Sequence, residues 1–224
     1  NIMAEFERPS PTIEDYLGVI YTLERDGERV IAARLVESLD VSAPTVNATL
    51  KRMQRDGWIM LNENKEIHLT QAGCIMAMSV IRRHMLTEWM LSRVLKLPLS
   101  ELHREAHQIE HTLSPDVEER LLNEMQDPKF CPHGNPLPGF EDETLGWLPL
   151  SRINPGERVQ LQRIHENLES DYESLSFLEE KGLVRGCTLI LKEVLNFNET
   201  MKVEVGGKEV VLGVRFAEKL FVSR

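Results

Sequence analysis

The spacing of hydrophobic positions changes along the chain, and the changes divide it. Across residues 12–25 the apolar side chains recur at Ile13, Tyr16, Leu17, Ile20 and Leu23, the three-and-four spacing of one helical face. Thr12 is placed to cap that helix and Asp26-Gly27 to end it. Residues 30–39 repeat the spacing through Ala32, Ala33, Leu35 and Leu39. A tight turn at residues 40–42 follows, then a third helix with Ser42 as its cap, Pro44 in its first turn, and Val46, Leu50 and Met53 as its buried stripe. Residues 58–61 and 66–70, around the polar run 62–65, predict two strands of a hairpin.

Further on, residues 71–97 carry a broad apolar face of Ile75, Met78, Ile81, Leu86, Met90, Leu91 and Val94. The break at residues 97–100 places Ser100 as the cap of the next helix, and residues 116–125 form one more. Helices this apolar on two sides predict packing against a second chain. Residues 131–139 are dense in proline and glycine and read as a loop, with Cys131 and His133 as parts of a rigid turn rather than as metal ligands. An acidic linker follows. From Trp147 the pattern alternates as strands do, through residues 158–164, 187–194, 201–205 and 209–214, with a hairpin turn at Gly206-Gly207 and a helical piece at 170–181. The expected organisation is residues 1–73 a winged helix-turn-helix, 74–140 a helical domain, 141–146 a linker and 147–224 a small β-barrel. The fold class is α+β, mainly α.

Candidate chemistry sits at two places. Ser42, Pro44, Thr45, Asn47, Ala48, Lys51 and Arg52 lie off the buried stripe of the third helix, and residues 41–55 contain no acid although the chain carries a net charge of −10. Small and amide side chains at its start suit base edges, while Lys51, Arg52, Arg55 and, at the hairpin tip, Lys65 suit phosphates. The second place is residues 100–114, where His103, His107 and His111 fall at four-residue steps beside Glu110, with His84 and Glu88 also four apart upstream. Positions i and i+4 share a helical face, so these groups form a ridge of nitrogen and oxygen donors. Donors without thiolate suit a first-row divalent ion, manganese or iron, with zinc as an alternative.

Two rival readings stand beside a metal-responsive DNA-binding protein. One is a metalloenzyme with a helical His/Glu site; no nucleophile motif or glycine-rich phosphate loop accompanies it. The other is a winged-helix regulator that senses an organic ligand. No apolar run approaches the roughly 20 residues that cross a bilayer. Residues 1–9, with Glu5, Glu7 and Arg8, lack an apolar signal core, and the three cysteines are far apart without a CxxC pair. These features predict a cytoplasmic protein without a membrane partner.

The runs DYLGVIYTLE, SAPTVNATLKRMQRDG and CPHGNPLPG, with the HxxxE and HxxxHxxEH sets, make the chain resemble the diphtheria toxin repressor family. That resemblance covers nearly the whole chain. It implies a metal-dependent transcriptional regulator, a homodimer on a palindromic DNA operator, no small-molecule substrate, an SH3-like C-terminal domain, and two metal positions per subunit. The first would join Asp15 to His107, Glu110 and His111. The second would join His84, Glu88 and His103 to carboxylates of the C-terminal domain, Glu173 matching best and Asp171 next. The family's iron branch has Met and Cys at the positions of Asp15 and His107, its manganese branch Asp and Glu. Asp and His here remove both sulfur donors and favour Mn(II), with Fe(II) as the alternative. The implied output is repression of metal-uptake genes.

Overall fold

A computed structural model describes residues 8–126 and 128–224; the reading of the N-terminus as lacking a signal core falls, for residues 1–7, outside them. The described residues form two compact units, one within residues 8–83 and 110–112 and one within residues 84–109 and 113–224.

The first unit opens with α1 (Pro11–Arg25), α2 (Ala32–Leu39) and α3 (Ala43–Arg55). Helix α1 starts one residue before Thr12: Pro11 takes the first helical position, where its missing N–H costs nothing, and Ser10 is the cap residue without a side-chain bond. Helix α2 begins at Ala32 because Ile31 remains extended. Asp40, in the left-handed region at φ 50°, closes α2, and two residues later Ser42 Oγ accepts from Thr45 N–H and opens α3. That pair of caps makes the helix-turn-helix corner. Strands β1 (Ile59–Leu61) and β2 (Ile67–Leu69) pair antiparallel, Met60 opposite His68. Leu17, Ile20, Leu35, Val46, Met53, Ile59 and Ile67 pack one core, each worth roughly 1.5–3 kcal/mol on burial. Helix α4 (Gln71–Arg93) follows at once. A Cβ on Gly73 would stand 2.0 Å from the Trp58 carbonyl oxygen, so only glycine lets α4 start against the hairpin.

The second unit takes in the later part of α4, α5 (Leu99–Ile109), α6 (Pro115–Glu124) and the C-terminal domain. Residues 100–114 are not one helix. Helix α5 ends at Ile109 and tightens into a 3-10 turn at Glu110–Thr112. Nor is Ser100 its cap, because the helix already starts at Leu99.

The C-terminal sheet runs β3-β8-β4-β5-β6-β7, all pairings antiparallel. Strands β4 (Arg158–Ile164), β5 (Thr188–Leu195), β6 (Thr200–Val205) and β7 (Lys208–Gly213) follow the alternation. The two-residue β3 (Leu148–Pro149) is too short to show a period, whereas β8 (Leu220–Ser223) alternates, burying Leu220 and Val222. Helix α7 (Tyr172–Glu180) and the short α8 (Val214–Ala217) complete the domain. Leu161, Ile164, Leu175, Leu178, Leu189, Leu191 and Val203 fill its core.

The proline- and glycine-rich loop belongs with this domain. Asn135 Nδ2 donates to the Ile164 carbonyl at 2.9 Å and its Oδ1 accepts from Arg163 Nε at 2.5 Å. Gly134, at φ 96°, lies where a Cβ would meet Gln162 O at 2.0 Å.

Candidate metal centres and nucleic-acid face

In the first unit, Asp15 on α1 and Glu110 and His111 on the 3-10 turn converge. His111 Nε2 lies 3.0 Å from Asp15 Oδ1 and 3.3 Å from Glu110 Oε1. The other ring nitrogen, Nδ1, lies 2.7 Å from Glu14 Oε2. Glu14 is buried, and both its oxygens are engaged: Arg83 Nη2 donates to Oε1 at 2.5 Å and Arg8 Nε to the same atom at 2.8 Å. Arg83 Nε and Arg8 Nη2 also donate to the Glu110 carbonyl, at 3.0 and 3.1 Å. Burial alone would push the Glu14 carboxyl up, but the hydrogen bonds from Arg8 and His111 and the charge of Arg83 draw it below its usual range.

Glu14 is therefore an anion. An imidazole that gives Nδ1–H to it turns the Nε2 lone pair towards Asp15 and Glu110. Two carboxylates and an imidazole lone pair aimed at one point fit a divalent cation. Sequence reasoning passed over Glu14, although its place between Ile13 and Leu17 on the buried face of α1 was a signal. His107 lies on α5, exposed, four residues before His111.

In the second unit, one ligand atom from each of His84, Glu88, His103 and Glu169 lies within 4.8 Å of the others. His103 Nδ1 is 3.1 Å from His84 Nε2 and 3.3 Å from Glu169 Oε2. Glu88 is wholly buried, and its carboxylate stands 3.3 Å from His84 Nε2 and from His133 Nδ1. A buried carboxylate needs a positive partner, an imidazolium or a divalent ion.

The carboxylate brought here from the C-terminal domain is Glu169, not Glu173 or Asp171. Asp171 caps α7, accepting from Ser174 N and Oγ at 3.1 and 2.6 Å. Glu173 is exposed and lines a shallow groove with Phe177, Val211 and Phe216. The reason is local: Asp171 takes the cap position at which α7 begins. That leaves Glu169, before the cap, to turn inwards, where Asn135 Nδ2 donates to it at 2.6 Å.

Cys131 and His133 are in a rigid turn, closed by Cys131 N–H to Asn135 O at 2.8 Å, and they also lie close to Glu88 and Glu169. Glu88, Cys131, His133 and Glu169 form a second close set that shares its two carboxylates with the first. His133 donates from Nε2 to the Leu99 carbonyl at 3.1 Å, leaving Nδ1 3.3 Å from both Glu88 and Glu169. Burial would lower its pKa, but the charges of Glu88 and Glu169 raise it to about 9. Glu88, which burial would raise, is drawn well below the carboxylate range by His133 and His84. Burial and the charges of Glu88, Glu169 and Glu166 push the Cys131 thiol far up.

On α3, Ser42, Pro44, Thr45, Asn47, Ala48, Lys51, Arg52 and Arg55 are all exposed, as is Lys65 at the hairpin tip. Val46, Thr49, Leu50 and Met53 face inwards. The expected division of that helix into a core stripe and a polar face is thus seen. Arg55 pairs with Asp56, Nε to Oδ1 at 2.8 Å.

Three family descriptions match the chain. They are "Iron dependent repressor, N-terminal DNA binding domain" over residues 10–67, "Iron dependent repressor, metal binding and dimerisation domain" over 70–139, and "FeoA domain" over 148–224. The iron-dependent repressor IdeR of Mycobacterium tuberculosis is 36% identical over 184 residues, 77% of this chain and 80% of that protein. The diphtheria toxin repressor of Corynebacterium glutamicum is 31% identical over 210 residues, 90% and 91% of the two chains. A solved structure of a manganese-dependent transcriptional repressor in complex with manganese superposes with a TM-score of 0.83 at 26% identity, covering 94% of this chain and 98% of that one.

Proposed function

The chain belongs to the iron-dependent repressor family of metal-dependent, DNA-binding transcriptional repressors, which are not enzymes, and from that membership we propose that Mn(II) binding at two positions per subunit switches its grip on DNA. The first position is Asp15, Glu110 and His111, with His107, four residues before His111 in the chain, completing the set. The second is His84, Glu88, His103 and Glu169, with Cys131 and His133 close to its two carboxylates. Oxygen and nitrogen donors at the first position favour Mn(II) over softer ions, and Fe(II) is the alternative.

When bound, the ion would supply positive charge to the carboxylates that converge on each position. The rest is done by the chain. Asp15 sits on the helix that leads into the helix-turn-helix, while Glu110 and His111 come from nearly a hundred residues downstream (His111 and Glu14 are 97 apart). Holding the two together selects one position of α1, and with it one placement of α3. Glu14, through Arg83 and Arg8, aims His111 for that task. In a homodimer, two such helices read the half-sites of a palindromic operator in the cytoplasm. Among the described residues no helix is long and apolar enough to cross a membrane.

The observation that carries this reading is His111 poised between Glu14 on one nitrogen and Asp15 and Glu110 on the other. Fluorescence anisotropy on operator DNA, with and without Mn(II) or Fe(II), tests it. DNA affinity should rise with metal in the wild type and stay low in His111→Ala. Affinity indifferent to both would reject the switch.

A further inference from the structure

Helix α5, which carries His103 and His107, begins without a cap of its own. Pro98 precedes Leu99 and has no side-chain acceptor, so the first amides of the helix need a partner from elsewhere. They find it about eighty residues downstream in Glu179, in the last turn of α7. Leu99 N–H donates to Oε1 at 2.6 Å, while Ser100 N–H and Ser100 Oγ donate to Oε2 at 3.1 and 2.7 Å. A carboxylate at this end also meets the positive pole of the helix. The same turn is held a second time, since the Leu99 carbonyl accepts from His133 Nε2 at 3.1 Å. Ser100 is buried, and Leu99 packs against the C-terminal core.

We propose that Glu179 is a positioning residue: by capping α5 from the C-terminal domain, it sets His103 against Glu169 and completes the second metal position only when that domain is docked. The inference rests on the metal-dependent reading above. Glu169 and Glu179 stand at the two ends of the α7 segment and take hold of α5 at two successive points, Glu179 at Ser100 and Glu169 at His103. With Oε2 of Glu169 already 3.3 Å from His103 Nδ1, a displacement of about 1 Å at the capped turn takes the pair out of register. Occupancy of the metal position and docking of the domain then become one equilibrium, each favouring the other to the same degree.

Calorimetric titration of Mn(II) into the chelator-treated full chain tests this, with His111→Ala as the reference that identifies the two classes of site. Wild type should show two classes. Glu179→Ala should weaken the class that survives in His111→Ala by about tenfold or more, as loss of a ligand-orienting partner does. It should leave the other class within about twofold, and the Leu99 and Ser100 amides should exchange hydrogen faster. Glu179→Gln, of the same size, should give an intermediate loss and serves if the alanine variant does not fold. Glu180→Gln, its exposed neighbour, should match wild type. If both classes fall together, Glu179 only stabilises the helix and the proposal is overturned; it is equally overturned if Glu179→Ala binds as wild type does. A wild type that binds no divalent ion instead sinks the metal-dependent reading itself.

Discussion

Glu14 accepts from His111 Nδ1 at 2.7 Å, so a residue that is not itself aimed at the cation decides which ring nitrogen is. The two lie 97 positions apart. Their contact ties the first turn of α1 to the 3-10 turn after α5, and Arg83 locks the carboxylate from a third direction.

Glu14→Gln should therefore lower Mn(II) affinity at the first position by about tenfold to a hundredfold, since the tautomer of His111 is no longer set. Glu14→Ala should also destabilise the fold by about 3 kcal/mol, because it takes away the carboxylate that the buried Arg83 faces. Titration calorimetry and urea unfolding separate the two effects. Unaltered affinity in Glu14→Gln would leave His111 oriented by something else.

Removing Glu169 should abolish the second metal position, whereas removing Glu173 should not. Elemental analysis of protein loaded with excess manganese reads this directly: Glu169→Ala should hold one fewer ion per chain, and Glu173→Ala should hold as many as wild type. The reverse pattern would restore Glu173 as the ligand.

In protein stripped of divalent ions, His133 makes stability depend on pH. Burial opposes its charge, but Glu88 and Glu169 hold its pKa near 9, above the ordinary value of 6.5. The native state thus binds the proton more tightly than the unfolded chain. This contribution, of the order of a few kcal/mol, is complete below pH 6.5 and fades as pH rises through about 9. Denaturant midpoints between pH 6 and 9.5 should fall in wild type and show a smaller slope in His133→Gln. Equal slopes would assign the effect to another group.

On the DNA face, Lys51→Ala should weaken binding to all sequences alike and reduce the salt slope by about one unit. Asn47→Ala should instead relax base preference, by roughly 1–3 kcal/mol at one position if its amide reads a base edge. Anisotropy on operator and scrambled duplexes over a salt series distinguishes them. A specificity change in Lys51→Ala, or none in Asn47→Ala, would reverse the assigned roles.

Gly134→Ala should cost about 1–3 kcal/mol, since φ is 96° and the added Cβ would overlap Gln162 O. Thermal unfolding of the full chain checks it, and an unchanged midpoint would show that the turn can move away from β4.

What the sequence determined by itself was much of what short-range order carries, though not the caps of α1 and α5. The apolar period of α1, the Ser42 cap, the hairpin pattern and the four-residue histidine steps each arise within a dozen residues, because helix and strand periods are local geometry. Ser42 does cap α3, and Val46, Leu50 and Met53 do face inwards. The tertiary structure alone decided which distant groups share a site. Glu169 rather than Glu173 turns to His103, Glu179 rather than Ser100 caps α5, and Cys131 and His133 face Glu88 from a turn that also has a purely structural use. No periodicity records such pairings. They depend on where loops place their ends, and on the demand of buried carboxylates such as Glu14 and Glu88 for positive partners, which is felt only once the chain has folded around them.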